Sequence, residues 1–161
     1  MSLPSIGLVI LIGVIATAVM DMWLLIPSRL GVPMTDWRLV GRWVGQMPQG
    51  RFAHASIAKA APVRGEHALG WLAHYGVGIA YAVVLVALVG TDWARQPTIL
   101  PALAFGLVTV VVPLFVMQPA MGFGFAGSNT TAPVRSCVRS LANHAVFGAG
   151  LYVAAAAIAY L

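Results

Sequence analysis

The sequence is poor in charged residues. Its 161 residues include nine Lys or Arg and only four Asp or Glu, so that 8% of the chain is charged. A soluble domain carries about 25% charged residues, and charges this rare cannot cover a water-soluble protein of this size. The composition excludes a soluble enzyme, a disordered tail and a disulfide scaffold. With 60% hydrophobic residues, it predicts an integral membrane protein.

Cysteine is nearly absent, because the chain has only Cys137. One thiol excludes an internal disulfide and is not a metal-binding framework. The sequence also lacks C-x-x-C, a Walker loop, H-E-x-x-H and a nucleophile elbow. These absences leave the common soluble chemistries without support, and they leave open whether the protein is an enzyme.

Long apolar runs, in contrast, make up most of the chain. A helix needs about 20 apolar residues to cross a hydrocarbon core of about 30 Å. Pro113 and Pro119 are expected to kink the third of these runs. Consecutive spans run antiparallel, so the sequence predicts an all-α integral membrane protein with a single domain, a four-transmembrane-helix antiparallel bundle. The predicted spans cover residues 5–27, 67–89, 99–126 and 140–161.

The first loop, residues 28–66, contains an amphipathic segment. Thr35-Asp36 is an N-cap signal, and apolar residues then recur at helical spacing over residues 36–47. The pattern predicts a short cytoplasmic interfacial helix, with Trp toward the apolar side and with Arg38 and Arg42 toward lipid headgroups. A site for an anionic substrate or a lipid headgroup is the functional alternative. The apolar residues are Trp37, Val40, Trp43, Val44 and Met47.

Basic residues are distributed unequally among the connections. Eight of the nine Lys and Arg lie in the first and third connections, and only Arg95 lies in the second. By the positive-inside rule, the first and third connections are cytoplasmic, and both termini lie outside a bacterial inner membrane. The excess also predicts contact with anionic lipid headgroups at the cytoplasmic face. Binding to nucleic acid is not expected, because these residues flank membrane spans.

Three ionisable residues stand out inside the predicted spans: Asp21, His74 and His144. Such residues cost about 2.5–3.5 kcal/mol on insertion scales and mark functional sites by default. At 1.5 Å per residue, they and Gln118 lie roughly 8–12 Å from the cytoplasmic ends of their helices. Small residues four positions away indicate that the ionisable side chains face the bundle. The four side chains are therefore predicted to converge in one layer.

Several chemistries fit this predicted layer, and the sequence does not choose among them. Two His and one carboxylate could ligate Fe or Zn, Met117 and Met121 would add soft ligands for Cu(I), and the two His could hold a haem. The same groups could relay protons, with Gln118 contacting a substrate or supporting the ligands. A hydrogen-bonded cluster that only specifies packing is the structural alternative. The candidate metal ligands are Asp21, His74 and His144.

Five segments of the chain share their residues with a known family: Met20–Trp23, Asp36–Trp43, Gly70–Tyr75, Met117–Gly122 and His144–Gly148. Over nearly its whole length the chain resembles the bacterial membrane family named domain of unknown function 2938. The resemblance implies a bacterial inner-membrane protein with four helices, and it adds no reaction because that family has no assigned function.

Three functions remain open after this reading. The first is a multi-pass membrane protein whose polar site binds a metal or relays protons. The second is a small transporter or channel subunit that acts as a homo-oligomer and uses the same residues for translocation. The third is a structural subunit of a larger membrane complex.

Overall fold

The computed structural model of the protein describes residues 6–32 and 35–160. Over those ranges the chain is helical and contains no strand. Four helices are long and apolar enough to cross a membrane, which confirms the prediction of an all-α chain with four candidate spans. They are α1 (Ile6–Arg29), α3 (Glu66–Val89), α4 (Ile99–Ala120) and α5 (Pro133–Ala159), and a shorter helix, α2 (Trp37–Gln46), lies between the first two in sequence.

The chain forms two compact units, and α3, α4 and α5 each contribute to both. Unit 1 contains α1, Tyr75–Val108 and the part of α5 that begins at Asn143. Unit 2 contains α2, the chain that follows it up to His74, and Thr109–Ala142.

The core of unit 1 draws apolar side chains from all four long helices. Small residues let these helices approach closely, because a Cβ at Gly13 would lie 2.6 Å from the Cα of Ile79 and one at Gly148 would lie 2.7 Å from the Ala102 carbonyl. This confirms, for Gly13 and Gly148, the prediction that small residues mark faces of helix contact. Five of the most buried core residues are Ile12, Ala16, Leu85, Ala102 and Leu151.

Helix α2 packs against the first turns of α3 in unit 2. Its N-cap is Asp36, whose side chain accepts a backbone N–H two residues later at 3.0 Å. The two helices cross so closely that a Cβ at Gly41 would collide with the Glu66 carbonyl, and one at Gly70 would collide with the Trp37 carbonyl. Only glycine fits at this crossing, and the close approach brings the side chains of α2 onto α3.

Helix α4 is irregular near its end. Pro113 has no N–H to donate to the carbonyl four residues earlier, and the following turn is a π turn in which the Gln118 N–H donates to the Pro113 carbonyl. The helix ends at Ala120 rather than near residue 126. Gly122 and Gly124 have φ values of 89° and 74°, in the left-handed region that a right-handed α-helix does not use.

Helix α5 begins at Pro133 rather than near residue 140. Proline suits the first helical turn, where the backbone amides have no intrahelical partner. Arg135 and Arg139 lie in the first two turns. They lower the mean hydropathy of these turns, so a search for apolar runs does not include them.

Candidate functional site

Asp21 lies about two turns before the end of α1 and is bound by a residue of α3 in the same unit. The Tyr75 hydroxyl donates a hydrogen bond to Asp21 Oδ2 at 2.9 Å. Both residues are half-buried in helices that are otherwise strongly apolar. A hydrogen bond to a carboxylate is about twice as strong as one between neutral groups, so Tyr75 stabilises a negative charge on Asp21.

Two further hydrogen bonds connect α5 with other helices of unit 1. One reaches α1 at Trp23, two residues after Asp21, and the other reaches α4. Trp23 Nε1 donates to Asn143 Oδ1 at 3.2 Å, and the neighbouring His144 donates from Nδ1 to the Gly106 carbonyl at 3.3 Å. Because the carbonyl can only accept, neutral His144 keeps its lone pair on Nε2. In unit 1, polar side chains on α1, α3 and α5 and a backbone carbonyl of α4 therefore form hydrogen bonds between the long helices.

His74, the second predicted ligand on an apolar helix, belongs to unit 2 and has an aromatic environment. Its ring stacks on Trp37 with centroids 4.0 Å apart, and the edge of Trp71 approaches it with centroids 5.8 Å apart. Trp71 Nε1 in turn donates to His67 Nε2 at 3.2 Å.

The predicted soft ligands lie in the apolar core of unit 2. Met121 is 3% exposed and packs with Val40 and Ile57, and Met117 packs against the same cluster. Their contacts are those of core residues.

Gln118, one residue from Met117, is 8% exposed, and its Oε1 has no hydrogen-bond partner among the described residues. An unsatisfied buried amide is rare in native proteins.

Metal binding gains no support from these positions. In the part of the chain that the structure describes, no group of three or more His, Cys, Asp or Glu side chains could hold a metal ion. Asp21 has a tyrosine hydroxyl as a partner, His74 has two indoles and His144 has a backbone carbonyl.

The prediction that Arg42 extends toward lipid headgroups is wrong, because Arg42 turns onto the protein. Its guanidinium binds both carboxylate oxygens of Glu66, from Nε to Oε2 and from Nη2 to Oε1, at 2.9 Å each. The Arg42 and Glu66 side chains are only 12% and 15% exposed. Hydrogen bonding to Glu66 raises the pKa of Arg42 above its usual value. Nη1 also donates to three loop carbonyls, those of Ile57, Ala58 and Ala60.

The sequence gives one sign of this network, which is the spacing of Arg42 and Gln46. The amphipathic pattern alone would place both of these side chains in solvent. Arg42 and Gln46 are four apart and share one face of α2. Gln46 is 3% exposed, donates to the Ala61 carbonyl at 2.8 Å and binds His54 Nε2 at 2.8 Å. A polar face of an amphipathic helix can thus be covered by its own following loop, and the helical periodicity does not reveal this.

Together, the four apolar helices and the polar groups within them define a multi-pass membrane protein. The model of the family described as "Protein of unknown function (DUF2938)" matches residues 10–158. The chain belongs to this family, as the resemblance predicted. Comparison with curated proteins and with solved structures gave no match.

Proposed function

We propose that this protein is a small proton-linked transporter of a bacterial inner membrane, in which Asp21 binds and releases the proton. The observation that carries the proposal is the hydrogen bond from Tyr75 to Asp21, made between two helices that are long and apolar enough to cross a membrane.

A role in packing alone is a weak reason to keep a carboxylate at this position. Insertion of Asp costs about 2.5–3.5 kcal/mol at the centre of a membrane helix and less toward its ends. A hydrogen bond between membrane helices stabilises the protein by about 0.6 kcal/mol on average. The bond between Tyr75 and Asp21 therefore offsets only part of the cost of Asp21. Chemistry that needs an ionisable group explains the remainder.

The chemistry at the pair is an exchange of one proton. The unprotonated Asp21 carboxylate accepts the Tyr75 hydroxyl proton as a hydrogen bond, with Tyr75 keeping its covalent O–H. When a carboxylate oxygen takes up a proton, the Asp21 carboxyl becomes neutral, and its O–H can donate to the Tyr75 oxygen. His144, whose Nδ1 donates to the Gly106 carbonyl, supplies a second ionisable group in the same unit. Neutralising the charge of Asp21 is the step that can be linked to movement of another solute.

The proposal includes an orientation. The four spans run antiparallel, α2 and the loop after it lie at the cytoplasmic interface, and both termini lie on the outer side. Eight of the nine Lys and Arg flank the cytoplasmic side in this arrangement, where they meet anionic lipid headgroups. The exposed Arg38 on α2 supports this placement.

Infrared titration of the purified protein in lipid bilayers tests the proposal directly. The wild-type spectrum should show a carboxyl band that disappears on deprotonation, and Asp21→Asn should remove it. Tyr75→Phe should shift this band, because the hydroxyl group is its hydrogen-bond partner. The control is Asp92→Asn, which removes an exposed carboxylate in the connection between α3 and α4 and should leave the band in place.

Proton flux into proteoliposomes tests the transport part. Under an imposed pH gradient, the wild type should acidify or alkalinise the lumen faster than Asp21→Asn does, whereas Asp92→Asn should match the wild type. Equal flux and equal carboxyl bands in the wild type and Asp21→Asn would overturn the proposal.

A further inference from the structure

The loop after α2 borders an open cavity that the proposed proton site does not use. Its volume is about 420 Å³, and it belongs wholly to unit 2. The polar lining comes from α2 and from the loop, and three alanines complete the wall. The polar lining residues are Gln46, Arg51, His54, Ser56 and Lys59.

The backbone around the cavity is held in place although it has little regular structure. The only helix between residues 51 and 65 is the short 3-10 turn Ile57–Lys59. Arg42 binds the carbonyls at both ends of this turn, and Gln46 binds the carbonyl of Ala61. On the other side, the loop amides of His54 and Ile57 donate to the end of α4 and the turn after it, at 2.8 and 3.0 Å. The cavity is therefore preformed.

The position of the His54 ring follows from the same bonds. Because Gln46 Nε2 donates to a carbonyl, its Oε1 is the acceptor and His54 Nε2 must carry the proton of their hydrogen bond. The ring is thereby fixed in the wall of the cavity, beside two basic side chains.

All charged side chains that line the cavity are basic. Arg51 and Lys59 are exposed, and within residues 6–32 and 35–160 neither has an ion-pair partner. Glu66, the acidic residue of the adjoining helix α3, is already bound by Arg42. Two cations at one concave site without a counter-charge create a positive potential that attracts an anion.

We propose that this cavity binds a phosphate group. Arg51 and Lys59 supply charge, and Ser56 supplies a hydroxyl donor, so that several donors can meet the three or four oxygens of a phosphate. Arginine binds phosphate through paired N–H groups. Phe52, next to Arg51, is 62% exposed, and an exposed aromatic beside a phosphate-binding Arg is the arrangement expected for contact with a lipid.

Two sources can supply this group: the headgroup of an anionic phospholipid, or a soluble phosphate. Calorimetric titration of the full-length protein distinguishes them. One arm uses inorganic phosphate with the protein in uncharged detergent. The other uses the protein in phosphatidylcholine nanodiscs, into which phosphatidic acid is introduced from vesicles of known composition. Saturable binding in either arm supports a phosphate site, and the arm in which it occurs identifies the source.

Matched variants place the binding in this cavity. Arg51→Gln and Lys59→Gln should each weaken binding by about tenfold or more, because each removes a charge-assisted contact. Arg64→Gln removes an exposed charge from the same loop outside the cavity and should change the affinity by less than about twofold. Within the part of the chain that the structure describes, these three exposed side chains form no ion pair, so thermal unfolding should be unchanged.

Two results would overturn the inference. One is the absence of saturable binding by the wild type in both arms. The other is an equal loss of affinity in Arg51→Gln and Arg64→Gln, which would mean that the net charge of the loop, and not the cavity, attracts phosphate. Neither result depends on the proton flux assigned to Asp21, so the two proposals are tested independently.

Discussion

Arg42 and Glu66 form a two-point ion pair between α2 and α3, with two N–O distances of 2.9 Å. The pair is largely shielded from solvent, and the third nitrogen of Arg42, Nη1, donates to the loop carbonyls. One guanidinium thus joins a short amphipathic helix, the start of a long apolar helix and an irregular loop.

Replacing Arg42 should destabilise unit 2. In Arg42→Gln the Glu66 carboxylate loses its partner and three carbonyls lose a donor, so we expect a loss of about 1–3 kcal/mol in the free energy of unfolding. Arg38→Gln is the matched control, because Arg38 is one turn earlier on α2 and exposed, and it should change stability by less than about 0.5 kcal/mol. Thermal unfolding in detergent measures both, and equal melting temperatures for the two variants would contradict this role of Arg42.

The close crossing of α2 and α3 gives a second prediction. Gly70→Ala should lower stability by about 1–3 kcal/mol, because its Cβ would collide with the Trp37 carbonyl. Gly76→Ala, six residues later on α3, has no neighbour within 4 Å of the added atom and should stabilise the helix by about 0.5–1 kcal/mol. Unfolding curves of the two variants should shift in opposite directions, and a shift in the same direction would count against the crossing.

The two buried glutamines should respond oppositely to loss of their amides. Gln118 has an unsatisfied Oε1, whereas Gln46 binds both the Ala61 carbonyl and His54. Gln118→Met should therefore raise the free energy of unfolding by about 1 kcal/mol, and Gln46→Met should lower it by about 1–3 kcal/mol. If Gln118→Met unfolds at a lower temperature than the wild type, Gln118 has a partner that stabilises the fold.

Orientation in the membrane can be tested with a reporter that is active only in the periplasm. Fused after Leu161, the reporter should be active, and inserted near Gln49 it should be inactive, because the basic loop is retained in the cytoplasm. Introducing two Lys beside Arg95 reduces the charge asymmetry and should weaken this difference. Activity at Gln49 and none after Leu161 would reverse the orientation.

The number of long helices and their approximate positions could be predicted from sequence because the decisive interactions are local, whereas the end of α4 and the start of α5 could not. A run of about 20 apolar residues indicates a span whatever lies around it, and the polar residues within such a run stand out. The same local reasoning identified Asp21 and His144 as unusual and the small residues beside them as contact faces. The hydrogen bond from Tyr75 to Asp21 was not predicted, because its two residues are 54 positions apart.

The sequence by itself determined that this is an all-α protein of four apolar helices, since composition and hydropathy act on each segment separately. Only the tertiary structure decided where the polar side chains point. Arg42 looks like a headgroup contact on a helical projection, yet it faces Glu66 because α2 crosses α3 at Gly41 and Gly70. The cavity of Arg51 and Lys59 exists for the same reason: Arg42 and Gln46 hold the loop carbonyls, and these contacts join residues far apart in the sequence.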